Sequence, residues 1–153
     1  MPTIEQYEQI FDISLNGGVP YRHLEQHVSI LTLSSITKIS HDELCDRLTA
    51  IKGTKGFSQR FLEAYLLQLS VKGDWETFMD GLALTLYGVM VFPNVAHYVD
   101  YAAVDIFVVV KTRSENPVTT ILANTYLALD LCHERNMRKL PCCVPALYIW
   151  MMV

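Results

Sequence analysis

Residues 81–92, GLALTLYGVMVF, carry no charge and run straight into Pro93. Proline lacks a backbone N–H and disfavours helix in the residue before it, so a helix entering this stretch has to end there. Upstream, Asp74 stands where an N-cap would stand. Trp75, Phe78, Met79, Leu82, Leu86 and Val89 then recur at helical spacing, while Leu84 and Tyr87 occupy the other side. A helix that is apolar nearly all round belongs in the interior of a bundle. The stretch falls short of the ~18 apolar residues of a spanning helix. So does the uncharged run from Leu140 to Val153, which two prolines interrupt.

The remaining punctuation also reads as helical. Thr3-Ile-Glu-Gln6 is a capping box, followed by Ile4, Tyr7, Ile10 and Phe11 on one face and stopped by Asn16-Gly17-Gly18. Pro20-Tyr21 opens a connection. A second box, Ser40-His-Asp-Glu43, starts a short helix with Leu44, Leu48 and Ile51 on one face, closed by Gly53. The spacing of Phe57, Phe61, Leu62, Tyr65, Leu66 and Leu69 predicts a helix ending near Gly73. From Asp100 to Val110 the β-branched run IFVVV suits a strand, yet Tyr101, Val104, Phe107 and Val108 keep helical spacing. Helix is favoured at 104–110 because no partner strand is evident. Lys111 to Glu115 reads as a polar loop. Asn116-Pro117 starts a helix through Leu131 with no charge before Asp130. Pro145 begins a last one, ALYIWMMV.

The expected fold is therefore all-α: one multi-helix bundle over 1–153, with the helices near 75–92 and 117–131 central and the first helix peripheral. A chain of 153 residues can bury a substantial core. It is 51% apolar and 18% charged, against a usual ~25% charged. That composition excludes general disorder, and the apolar excess points to a surface meant for a partner or for further sequence.

Net charge is −4, so no global basic field attracts nucleic acid. The local cluster Arg135, Arg138 and Lys139 reads as a solvated helix end. The opening MPTIEQYEQI is not a signal peptide, and four cysteines without such a signal read as reduced intracellular thiols. Cys132-His133 and Cys142-Cys143 are adjacent pairs, which diverge by about 100° on a helix. They lack the C-x2-C spacing of zinc sites.

No nucleophile elbow, phosphate loop or dinucleotide fingerprint occurs. Asp80, Asp100, Asp105, Asp130 and Glu134 could in principle assemble a two-metal nuclease or transposase site. The blander reading makes Asp100 a cap and puts Asp130 and Glu134 on a helix's polar end. His23, His27, His41, His97 and His133 are scattered. No catalytic, cofactor-binding or metal-binding residue is assigned.

Three blocks, LALTLYGVMVFPNVAHYVDYAAVDIF, NPVTTILANTYLALDL and CCVPALYIW, resemble successive blocks of a legume-abundant plant family of unknown function, akin to the plant mobile domain of transposons and domesticated host proteins. TIEQYEQIFDISLNGGVPY, KGFSQRFLEAYL and WETFMDGLALTLYG also fit, so the resemblance covers most of the chain. It implies an all-helical, transposon-derived domain, with nuclear roles in some relatives, and transfers no catalytic residue. Relatives continue past the tryptophan block, so a C-terminally truncated copy is expected. The leading reading is a non-enzymatic protein–protein interaction module or a copy without function. It would associate with itself or a protein partner through the apolar segment at Ile149, Trp150 and Met152. The alternatives are a degenerate metal-dependent nuclease or transposase, and a weak nucleic-acid binder.

Overall fold

The computed structural model describes residues 1–14 and 30–153. The readings at Asn16-Gly17-Gly18, Pro20-Tyr21, His23 and His27 lie outside them. The capping box at the start is complete: Thr3 Oγ1 accepts from the Gln6 amide, and Gln6 Oε1 accepts from the Thr3 amide. Helix α1, Ile4–Phe11, ends sooner than the glycine pair suggested, because Asp12 turns left-handed at φ 53. The amides of Asp12 and Ile13 then bond back to the Gln9 and Glu8 carbonyls. Helix α2 is Ile30–Thr37, and α3, His41–Arg47, starts where Ser40 accepts from the Glu43 amide.

The all-α expectation holds in part: the fold is mostly α-helical, with a small antiparallel sheet that begins after α3. Strands β1 (Thr49–Ile51), β2 (Thr54–Ser58) and β3 (Tyr98–Asp100) pair in the order β1-β2-β3. Leu48 and Ile51 do not prolong a helix, because Lys52 (φ 51) and Gly53 (φ 80) are both left-handed. That is the backbone of a tight two-residue hairpin turn, and Ile51 faces Thr54 across it. Phe57 is not the first residue of a helix either. It sits in β2 opposite Val99, and Ser58 caps α4, Gln59–Lys72, by accepting from the Phe61 amide.

Asp74 caps α5, Trp75–Leu86, as its position suggested. Before Pro93 the helix widens into a π turn, Tyr87–Val91, and the Phe92 amide bonds to the Tyr87 carbonyl at 2.8 Å. The face expected inside is largely outside: Trp75 and Met79 are 59% and 60% exposed. The buried face is instead Thr77, Gly81, Leu84 and Thr85, continued by Gly88. Small residues let neighbours close in: Leu66 of α4 packs at Gly81, and β3 takes the space at Gly88. A Cβ built on Gly88 would lie 2.5 Å from Val99 Cγ1. Across the strand, one on Gly56 would lie 2.1 Å from the Val99 carbonyl oxygen.

Residues 104–110 are helical, as favoured, within α6, Tyr101–Arg113. Asp100 caps it by accepting from the Ala102 amide. The helix runs through Lys111, which had been placed in a loop. Ala103 through Val108 are all buried, the longest such run among the described residues. Helix α7, Val118–Arg135, begins with the Asn116 side chain accepting from the Val118 amide. Helix α8, Val144–Met152, carries Pro145 in its first turn.

Two main apolar clusters result. The larger joins Leu33, Leu44, Phe57, Leu84, Val99 and Phe107. The second joins Tyr7, Val118, Ile121, Leu122, Cys143 and Ala146. Helix α1 is therefore not merely peripheral, since Tyr7 has no exposed surface. The contact at Gly88 gives a test. Gly88→Ala should destabilise the fold by about 1–3 kcal/mol through overpacking, outweighing the ~1 kcal/mol that alanine gains in a helix. Urea denaturation should show that loss shrinking in a Val99→Ala background. Equal losses in both backgrounds would disprove the coupling.

Candidate interaction surface

Helix α8 has no polar face, so whatever it does not bury is apolar. Ala146 and Leu147 face the interior, and Trp150 packs half-buried against both nearby clusters. The rest of the circumference, Val144, Tyr148, Ile149, Met151 and Met152, is exposed, with the two methionines at 70% and 69%. Ordinary surface helices put charge on that side.

Trp150 is held in place by the first helix. Its indole Nε1 donates to Gln6 Oε1 at 2.8 Å, the same oxygen that accepts from the Thr3 amide. The N-terminal cap and the tryptophan thus share one acceptor. Beside them α1 and α8 border a groove of about 510 Å³, lined by Gln6, Gln9, Ile10, Ile149, Trp150 and Val153. The sequence reading singled out Ile149, Trp150 and Met152. It missed Gln6 and Ile10, whose part depends on a contact across nearly the whole chain. A second set of exposed apolar residues, Leu67, Val71, Trp75 and Met79, lies at four-residue spacings on α4 and α5.

The carboxylates that could build a two-metal site are dispersed. Asp80 pairs with Lys111 at 2.9 Å. Asp100 accepts from the Ala102 amide and from Asn94, and Asp105 is buried on α6. Asp130 and Glu134 are exposed on α7. Among the described residues no three His, Cys, Asp or Glu side chains form a group that could hold a metal ion. His41, His97 and His133 are exposed, as are Arg135, Arg138 and Lys139 around the end of α7. No helix among the described residues is long and apolar enough to cross a membrane.

All four cysteines are free thiols. Cys142 and Cys143 pack beside α8 as anticipated, with Leu147 and Ala146 respectively. Burial disfavours the thiolate and pushes Cys142 up to about 11, and burial raises Cys143 as well.

The sequence model of one family, Domain of unknown function (DUF7745), matches residues 1–153. The chain belongs to that family. No curated protein and no solved structure matches it.

The thiols of this DUF7745 domain should separate by burial. At mildly alkaline pH a maleimide should modify the exposed Cys45 of the native protein quickly, while Cys142 and Cys143 react only on unfolding. Mass spectrometry of digested, labelled protein reads this directly. Rapid native labelling of Cys142 would contradict the packing around α8.

Proposed function

We propose that this DUF7745 domain is a non-enzymatic interaction module whose α8 face associates with a second copy of the chain. The observation that carries the reading is the uncharged, exposed side of α8, from Val144 to Met152. An apolar face without charge meets its own copy with no like-charge repulsion, and two such faces exclude water from each other. Fully withdrawing an Ile or Met side chain from water is worth about 1.5–3 kcal/mol. Several such side chains from each copy offset the roughly 4–15 kcal/mol of freedom lost on association. A reversible dimer of moderate affinity is the expected result. The groove beside Trp150 and Gln6 offers a recess for a side chain of the second copy.

The sequence blocks that resemble the plant mobile domain support a further part of the reading. They favour a transposon-derived origin and a nuclear setting, with association rather than chemistry as the retained activity. The dispersal of Asp80, Asp100, Asp105, Asp130 and Glu134 is in keeping with that.

Sedimentation velocity across a wide concentration series tests the association. The wild-type chain should shift from monomer to dimer. Ile149→Ser and Met152→Ser, both at exposed positions, should each weaken the dimer by about tenfold, the equivalent of ~1.4 kcal/mol, with unchanged circular dichroism. A monomer at every concentration, or a dimer indifferent to both substitutions, would refute the reading.

A further inference from the structure

A separate groove of about 690 Å³ lies where the β1–β2 turn, the 92–97 loop and the loop after α7 meet. Lys52, His97 and Lys139, one from each segment, line it, and no carboxylate does among its described residues. In a chain of net charge −4, that is a local reversal of sign. Lys52 and Lys139 are exposed and form no ion pair among the described residues. The nearby Asp100 is engaged by Asn94 and the Ala102 amide. His97 is tied through Nδ1 to Gln59 Oε1 at 3.3 Å, which leaves Nε2 as the ring's second polar position. The carbonyl of Lys139 accepts from Cys132 Sγ, which anchors its loop to α7.

Between the two lysines lie the aliphatic Val89, Val95 and Leu140 and the rings of Pro93 and Pro141, with Thr54 and Asn94 as uncharged polar neighbours. The groove contains no Phe, Tyr or Trp, and its one aromatic ring, the His97 imidazole, is tied to Gln59. Nucleic-acid strands are held by phosphate contacts together with aromatic platforms for the bases, and the overall negative charge opposes a polyanion. A short peptide that alternates carboxylates with aliphatic side chains matches both features, since its acids meet the rim and its apolar groups meet the floor.

We propose that this groove binds an acidic, aliphatic peptide segment of a partner protein, independently of the α8 surface. The test uses the full chain and a fluorescein-labelled peptide of alternating glutamate and leucine, followed by anisotropy. Binding should saturate and weaken as salt is added. Lys139→Glu and Lys52→Glu should each reduce affinity by about fivefold or more, in keeping with the modest worth of single rim charges. A Glu/Ser peptide should bind more weakly, because it cannot use the floor. Lys52→Asn, which suits a left-handed backbone, replaces Lys52→Glu if the latter unfolds. Arg60→Glu, exposed and outside the groove, should change nothing. Ile149→Ser should leave peptide binding intact, which separates this result from failure of the dimer. Absence of saturable binding, indifference to Lys139→Glu, or tighter binding of an oligothymidylate would overturn the proposal.

Discussion

Strand β3 lies between two glycines, and the fold is organised around that contact. Gly56 admits the Val99 carbonyl from one side and Gly88 admits the Val99 side chain from another. Val99 itself has no exposed surface. Its neighbour Tyr98 locks the hairpin, because its hydroxyl proton is shared between the Thr49 carbonyl at 2.6 Å and the Thr54 carbonyl at 3.0 Å. The next residue, Asp100, caps α6. Three consecutive residues therefore fasten a hairpin, a π turn and the most buried helix to one another. Strand pairing alone would not suffice, since a three-stranded patch this short gains its stability from packing against helices.

Hydroxyl groups let polar residues serve as core. Thr37, Thr85 and Thr125 each donate to the carbonyl four residues earlier in their own helices. Once that donor is satisfied, the side chain packs through its methyl group. Thr125 has its proton committed to Ile121, so the Tyr7 hydroxyl is the donor in the 3.3 Å bond between them. The Tyr65 hydroxyl likewise donates to the Thr37 carbonyl. Surface ion pairs such as Lys38–Asp74 add little by comparison.

Helix starts were legible because their signals are local: Thr3 with Gln6, Ser40, Asp74 and Asp100 each cap a backbone within three residues. Residues 104–110 are helical as expected, but the ground for it, that no strand was evident elsewhere, did not hold, since β1, β2 and β3 form a sheet. The spacing of Tyr101, Val104, Phe107 and Val108 was the sounder signal. What failed depended on distant partners. Phe57 keeps a four-residue spacing to Phe61, yet its strand is set by Val99, far along the chain. Trp75 and Met79 outweighed Thr77, Gly81 and Thr85 in hydrophobicity, but the inner face was chosen by how closely its neighbours approach. At the α8 surface the aliphatic side was readable from the absence of charge. The part of Gln6 was not, because its cap signal concealed a second bond to Trp150.

The pairing of α1 with α7 and α8 also imposes an order on assembly. Tyr7 meets Thr125, Pro2 accepts from the Tyr126 hydroxyl, and Gln6 meets Trp150. During synthesis α1 leaves the ribosome before its partners α7 and α8. The cluster around Leu33, Phe57 and Phe107 can close while α1 still waits, with Tyr7, Ile10 and Phe11 unshielded. Contacts so distant along the chain are slow to form, and apolar groups left open in the interval invite association with other chains. The second core is complete only when α1, α7 and α8 are all present, so its earliest-made helix depends on its latest-made partner.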